Sequence, residues 1–233
     1  MLHTLAVCAV ILFLFMLLRE HSQPKTAKSL QKCIFWKGGA TFITLLLALL
    51  GMTQPISGSH LPYTLLICAG LVLSIIGDIA LVYEQPRASL LGMIAFALAH
   101  ICYIMAFLSA QSYLVIVSNI WRDLGAGAAL SILGALYFWY VRPHLGELKQ
   151  PVLLYVTLIS IMLHRAVSSA DYGAGVPLQP LLALMGATFF YVSDFILSIN
   201  KFVFKTDTVQ DSAIVLGFYY AAQITLALST SFL

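Results

Sequence analysis

The chain has 233 residues, of which 61% are hydrophobic and only 9% are Asp, Glu, Lys or Arg. Soluble domains usually carry about 25% charged residues, and a soluble fold of this size has too little interior to hide so much apolar surface. The formal net charge of +3 is too small to indicate a nucleic-acid partner. Composition therefore excludes an ordinary soluble domain and predicts an integral membrane protein.

Hydropathy divides the chain into eight apolar runs, each near the roughly 20 residues that a spanning helix needs. The predicted spans are residues 2–18, 34–52, 61–83, 88–108, 124–141, 151–167, 178–200 and 209–233. Turn residues separate several of them, at Gln54-Pro55, Gln85-Pro86, Arg142-Pro143 and 173–177. No segment alternates polar and apolar residues as a membrane β-strand would. The sequence predicts one all-α domain over residues 1–233, a polytopic transmembrane bundle of about eight helices.

The first apolar run is predicted to be a spanning helix rather than a signal peptide. No Lys or Arg precedes it, basic residues follow it, and no small-x-small cleavage site stands out. The cysteines, Cys8, Cys33, Cys68 and Cys102, form no CxxC pair, and the chain has no HExxH motif. We therefore expect neither a metal site nor a disulfide framework, and no cofactor.

The basic residues indicate the orientation of the bundle, because cytoplasmic loops carry an excess of Lys and Arg. With eight spans, one side receives only Arg122 and Arg165. The other side receives Arg19, Lys25, Lys28, Lys32, Lys37, Arg87, Arg142, Lys149, Lys201 and Lys205. This skew supports the count of eight and predicts that both termini lie on the non-cytoplasmic side.

Two acidic residues, Asp78 and Asp194, lie well inside apolar runs. A charged side chain at the membrane centre costs about 2.5 to 3.5 kcal/mol on insertion scales, so such a residue normally faces the bundle interior and has a function there. Asp78 precedes Arg87 and Asp194 precedes Lys201 by similar intervals, which places both carboxyls roughly 10 to 14 Å below the same rim. Packing of the third and seventh helices would bring them together. No Lys or Arg is expected in mid-span to neutralise them.

Two carboxyl groups close together in a low dielectric cannot both ionise easily, so one is available as an acid while the other stays an anion. Further polar side chains lie inside the spans. They are His100 and Tyr103 on the fourth span, Tyr191 on the seventh with Lys201 at its rim, and Tyr220 and Gln223 on the eighth. Such groups serve either as hydrogen bonds between helices or as the walls of a wet pocket.

Short motifs in helices three to eight, in this order, make the chain resemble the YhhN-type lysoplasmalogenase family of eight-span membrane hydrolases. They are Gly77-Asp78-Ile79-Ala80-Leu81, Gly92-x3-Phe96-x3-His100-x2-Tyr103, Gly186-Ala187-x3-Phe190-x2-Ser193-Asp194 and Tyr220-x2-Gln223, with a weaker one at Tyr155-x6-Met162. In the first third, the family tends to have a lysine followed by proline at the second span. Here Lys37 is followed by Gly38.

The resemblance implies hydrolysis of the vinyl-ether bond of lysoplasmalogens, giving a fatty aldehyde and a glycerophospho-ethanolamine or glycerophospho-choline. It also implies that Asp78 and Asp194 are the catalytic pair. We expect the substrate, a lysophospholipid in the bilayer, to contact a larger set of polar residues. These are Lys37, His100, Tyr103, Tyr191, Lys201, Tyr220 and Gln223.

Two other functions fit the intramembrane acids. One is a proton-coupled transporter, since Asp and His form proton relays in membranes, although the spans have few of the Gly and Pro breaks that build transporter sites. The other is a non-catalytic lipid-binding or scaffold protein. The expected location is the inner membrane in a bacterium, or the endoplasmic reticulum in a eukaryote.

Overall fold

The computed structural model describes residues 2–21, 26–53, 60–83, 85–110, 120–169, 178–206 and 209–232. Within these residues the chain forms helices and no strand, and eight helices are long and apolar enough to cross a membrane. They are α1 (Leu2–His21), α2 (Ala27–Leu50), α3 (His60–Val82), α4 (Pro86–Ala110), α5 (Ile120–Val141), α6 (Lys149–Ser169), α7 (Leu178–Ser198) and α8 (Val209–Ser229). The predicted all-α bundle of about eight spans is confirmed.

The predicted turns are found where the structure describes them. Pro86 is the first residue of α4, a position where proline is favoured because its missing N–H has no partner in a helix. A 3₁₀ turn at Arg142–His144 follows α5. The turns predicted at Gln54-Pro55 and 173–177 lie outside the described residues.

Helix α2 begins seven residues before its predicted start at Ile34, at Ala27. Thr26 caps it, because its hydroxyl accepts a hydrogen bond from the backbone N–H of Ser29 and the Ser29 hydroxyl accepts one from Thr26 N–H. Hydropathy cannot detect this extension, since the first turns are polar. As a result Lys37 lies inside the helix rather than at its entrance.

Helix α7 does not end at Ser198 but continues as a π-helical segment over Ile199–Phe204. Lys205 ends this segment in the left-handed conformation, with φ of 52°. π-Helical turns are frequent at functional sites. This one contains Lys201, and Lys205 directly follows it.

The helices are arranged as two closely packed pairs, α3 with α4 and α7 with α8. Helix α2 packs against α1, α3 and α8, while α6 packs against α4, α5 and α7. Glycines permit the close approach of α3 to α4: a Cβ at Gly70 would meet the Tyr103 ring at 2.3 Å, and one at Gly77 would meet the Phe96 ring at 2.6 Å. Backbones approach this closely in membrane bundles where the interface residue is small.

Helix α5 lies at the edge of the bundle and exposes an apolar surface. Trp121 and Trp139, near its two ends, are 84% and 74% exposed. At 1.5 Å per residue they are about 27 Å apart, close to the thickness of the hydrocarbon core. Tryptophans are enriched at both membrane interfaces, so α5 has the anchors expected of a lipid-facing span.

We predict that Gly70→Ala lowers the free energy of unfolding in detergent by about 1 to 3 kcal/mol, because the added methyl overpacks against the fully buried Tyr103 ring. Gly125→Ala is the matched control, since a Cβ there meets nothing within 4 Å. It should leave stability unchanged or raise it slightly, because alanine is the better helix former. Equal losses for both variants would contradict this account of the α3–α4 contact.

The predicted orientation is open to a direct test. In a variant without native cysteines, a cysteine at Phe232 should react with a membrane-impermeant maleimide added to the non-cytoplasmic side of sealed vesicles. A cysteine at Lys205 should react only from the opposite side. The reverse labelling pattern would refute the orientation.

Candidate active site

A cavity of about 890 Å³ lies at the end of the bundle where α1, α3 and α7 end and α2, α4 and α8 begin. Its volume is within the roughly 300 to 1,000 Å³ of small-molecule sites. Asp78 and Asp194 both line it, as do Lys37, Lys201 and Lys205. Lys201 and Lys205 are exposed at its mouth. The cavity therefore joins the two intramembrane acids to a basic rim.

Asp78 is fully buried on α3 and is surrounded by donors from two other helices. From α2, the Nζ of Lys37 lies 3.3 Å from Oδ1, and the Thr41 hydroxyl donates to Oδ2 at 2.5 Å. From α8, the Tyr219 hydroxyl donates to the same Oδ2 at 2.8 Å. One cation and two hydroxyl donors are the surroundings that stabilise an ionised carboxylate.

The expectation that no basic residue would neutralise the buried acids is wrong for Asp78. The side chain of Lys37 is only 15% exposed and reaches inward from α2. Its flexible four-carbon stem lets the ammonium group lie away from its own backbone position. The Tyr220 hydroxyl donates to the Lys37 carbonyl at 3.1 Å, which ties α8 to α2 at the same level.

Asp194 is half-buried on α7, and its partners are different. The Tyr155 hydroxyl of α6 donates to Oδ2, and the Nε2 of His100 on α4 lies 3.4 Å from the same atom. His100 Nε2 and the Tyr155 oxygen are themselves 3.1 Å apart. Within the described part of the chain, no Lys or Arg pairs with Asp194.

The two acids line the same cavity, but their carboxyl groups are not in direct contact. Within the described residues, neither carboxyl forms a hydrogen bond or ion pair with the other. An aromatic cluster connects the two sides: the Phe96 ring lies 6.1 Å from Phe190 and 5.9 Å from Tyr219, with Phe190 and Tyr219 5.5 Å apart. Of these rings, Phe96 and Tyr219 line the cavity and give it an apolar inner wall beside its two carboxyls.

The other residues predicted to contact substrate fall into two groups. Lys37 and Lys201 line the cavity, and Lys201 donates to the Ser89 hydroxyl at 3.1 Å. The remainder are buried and do not line it; they are His100, Tyr103, Tyr191, Tyr220 and Gln223. Their part in substrate binding stays a prediction.

Contacts between helices account for part of this buried group. The Tyr103 hydroxyl is 3.4 Å from the Ser74 hydroxyl of α3. The Tyr191 ring instead packs against Phe195 of its own helix, with the ring centroids 4.2 Å apart. Gln223 is fully buried and neither its amide nitrogen nor its amide oxygen has a hydrogen-bond partner among the described residues.

Three residues that hold the acids were absent from the predicted site: Thr41, Tyr155 and Tyr219. Thr41 follows Lys37 by one helical turn, so the two share a face of α2. Tyr219 adjoins the predicted Tyr220, but the side chains of consecutive helical residues point about 100° apart around the helix axis. Tyr155 belongs to the weaker motif of the sixth span, and only the fold places it beside Asp194.

The comparisons with known proteins cover nearly the whole chain. The YhhN family matches residues 33–230. Lysoplasmalogenase TMEM86A of Bos taurus is 32% identical over 219 residues, which are 92% of this chain and 82% of that protein. TMEM86A of Homo sapiens is 30% identical over 217 residues, with the same two shares, 92% and 82%.

A second human protein is also similar, lysoplasmalogenase TMEM86B of Homo sapiens, with 30% identity over 171 residues, 72% of this chain and 64% of that protein. No solved structure matches the chain. The match to the family extends from within α2 to the end of α8 and so includes the described residues that bond to Asp78 or Asp194. The chain therefore belongs to the YhhN family.

Proposed function

We propose that this protein is a lysoplasmalogenase, a membrane hydrolase that cleaves the vinyl-ether bond of lysoplasmalogens into a fatty aldehyde and a glycerophospho-base. The observation that carries the proposal is that Asp78 and Asp194 line one cavity with a basic rim. The similar proteins of Bos taurus and Homo sapiens are named lysoplasmalogenases, which supports the same reaction class.

The reaction requires an acid and an anion. A proton adds to the vinyl carbon remote from oxygen, and the positive charge is shared between the other vinyl carbon and the ether oxygen. Water then attacks this oxocarbenium ion, and the resulting hemiacetal separates into aldehyde and alcohol. The balance is R–CH=CH–O–R′ + H₂O → R–CH₂–CHO + HO–R′. A positioned acid and a nearby carboxylate accelerate such a step, as in the glycosidases.

The contacts of Asp78 suit the role of the anion in this reaction. Lys37 neutralises its charge, and the hydroxyls of Thr41 and Tyr219 occupy acceptor sites of Oδ2. A carboxylate held in this way needs no reorganisation when positive charge develops nearby, which is the basis of electrostatic stabilisation.

The contacts of Asp194 suit the role of the proton-donating acid in this reaction. Its partners are a tyrosine hydroxyl and an imidazole rather than a lysine or arginine, and its side chain is 13% exposed towards the cavity. Neither partner adds a permanent positive charge to that side of the cavity, so the two carboxyls have different surroundings, as an acid and an anion would require.

The substrate is expected to enter from the rim. Lys201 and Lys205 at the mouth provide cations for the phosphate, while the apolar wall formed by Phe96 suits the alkenyl chain. The vinyl-ether bond, which adjoins the glycerol, would then lie below the rim between the two carboxyls.

We predict that Asp78→Asn and Asp194→Asn each reduce aldehyde release from a lysoplasmenyl-ethanolamine at least about 100-fold, because each removes the anion or the acid without changing side-chain size. Asp123→Asn is the control, since Asp123 lies at the opposite end of the bundle beside His164 and Arg165. Rates should be normalised to folded protein in detergent.

Full aldehyde release by both cavity variants would refute the two-aspartate mechanism. If the wild-type protein releases no aldehyde but takes up solute into proteoliposomes when a pH gradient is applied, the protein is a transporter. Lysolipid binding without turnover would instead identify a binding protein.

The Lys37–Asp78 pair gives a prediction about stability that is independent of turnover. Lys37→Met should lower the free energy of unfolding by about 3 to 5 kcal/mol, because it leaves a buried charge without its partner. Lys37→Met combined with Asp78→Asn should recover most of that loss while remaining inactive. Lys32→Met is the control, since Lys32 is half-exposed and pairs with Glu20. The ion-pair account fails if the double variant is as unstable as Lys37→Met.

A further inference from the structure

Two polar side chains, those of Tyr155 and His100, contact Asp194 and do not line the cavity. Tyr155 donates its hydroxyl proton to Oδ2 of Asp194, and His100 Nε2 lies 3.4 Å from that oxygen and 3.1 Å from the Tyr155 hydroxyl. Asp194 lines the cavity, whereas His100 and Tyr155 do not. We therefore expect them to affect a substrate through Asp194.

Within the part of the chain that the structure describes, the polar contacts of Asp194 are made by one of its two oxygens. Both His100 and Tyr155 approach Oδ2, and no described residue hydrogen-bonds to Oδ1. Oδ1 is also not among the buried polar atoms that have no partner. Asp194 lines the cavity, so Oδ1 is the oxygen that remains available to a substrate atom there.

The imidazole is held in one orientation by its surroundings. His100 is fully buried, with the Phe190 ring edge-on at 4.8 Å and the Tyr155 ring at 5.2 Å between centroids. Its Nδ1 has no hydrogen-bond partner among the described residues. An unpartnered buried nitrogen costs less without a proton than with one, which favours the tautomer whose proton is on Nε2, facing Asp194 and Tyr155.

We propose that Tyr155 and His100 are positioning residues that stabilise the carboxylate left on Asp194 after it has protonated the vinyl ether. This inference rests on the proposed function. The Oδ1–H bond breaks as the alkene electron pair forms the new C–H bond, and the negative charge stays on Asp194. Tyr155 O–H and His100 Nε2–H then both point at Oδ2. The attacking water returns one proton to Asp194, so only water is consumed.

The test compares two tyrosines whose hydroxyls have different partners. Tyr155→Phe removes the hydroxyl that bonds to Asp194. Tyr137→Phe removes a hydroxyl that bonds to Ser198, which is on the same helix as Asp194, α7. For Tyr155→Phe we expect kcat for aldehyde release to fall roughly 10- to 100-fold, the effect of one hydrogen bond to a charged group. KM should be unchanged, because the hydroxyl does not line the cavity. Tyr137→Phe should retain both constants.

Two further measurements separate a positioning role from loss of folded protein. The saturated 1-O-alkyl lysophospholipid cannot be hydrolysed, and Tyr155→Phe should bind it with the stoichiometry of the wild type. In addition, His100→Gln keeps an N–H donor and should be more active than His100→Leu, at equal analogue binding.

The inference is overturned if Tyr155→Phe loses no more activity than Tyr137→Phe, or if its loss is matched by lost analogue binding. Equal activity of the two His100 variants would also overturn it. Absence of aldehyde release by the wild type is a different result, because it refutes the proposed function and this inference with it. Normal release by the wild type together with full activity in Tyr155→Phe refutes the inference alone.

Discussion

The buried ion pair between Lys37 and Asp78 is the contact around which one side of the bundle is organised. It joins α2 to α3, and the Tyr219 hydroxyl adds α8 to the same carboxylate. An isolated carboxylate in an apolar interior is too costly to persist, so a folded bundle must bring donors to it from several helices. The low dielectric strengthens each of these contacts once formed. The relative positions of α2, α3 and α8 are therefore coupled to one charge.

The second acid has a different kind of environment, and this difference gives the cavity its chemical asymmetry. Asp194 faces a histidine from α4 and a tyrosine from α6, neither of which carries a permanent charge. Among the described residues, one carboxyl of the cavity therefore has a lysine beside it and the other has none. The surrounding helices give the two acids different partners, which supports the distinct roles proposed for them.

The bilayer explains why the polar groups are collected in one place. A spanning segment must satisfy its polar groups within the protein, since lipid tails offer no partners. The apolar face of α5, with Trp121 and Trp139 near its ends, is the kind of surface that needs no such partners. The polar contacts of Asp78 come from α2 and α8, and those of Asp194 come from α4 and α6, so both acids draw their partners from neighbouring helices. The cavity that both acids line lies at the end of the bundle that carries Lys201 and Lys205.

The sequence by itself determined the helical class, the number of spans and the presence of two acids inside them, for which it predicts a common depth. These properties depend on local hydropathy and on distance along a helix, and both can be read from residue order. Only the tertiary structure decided the partners of each acid. Lys37 reaches Asp78 because α2 starts before the predicted residue and the lysine side chain is long. Tyr219 rather than Tyr220 contacts the Asp78 carboxylate because of the rotation of α8 about its axis. Tyr155 meets Asp194 because α6 packs against α7. Such pairings depend on which helix faces are in contact, and a pattern confined to one helix does not contain that information.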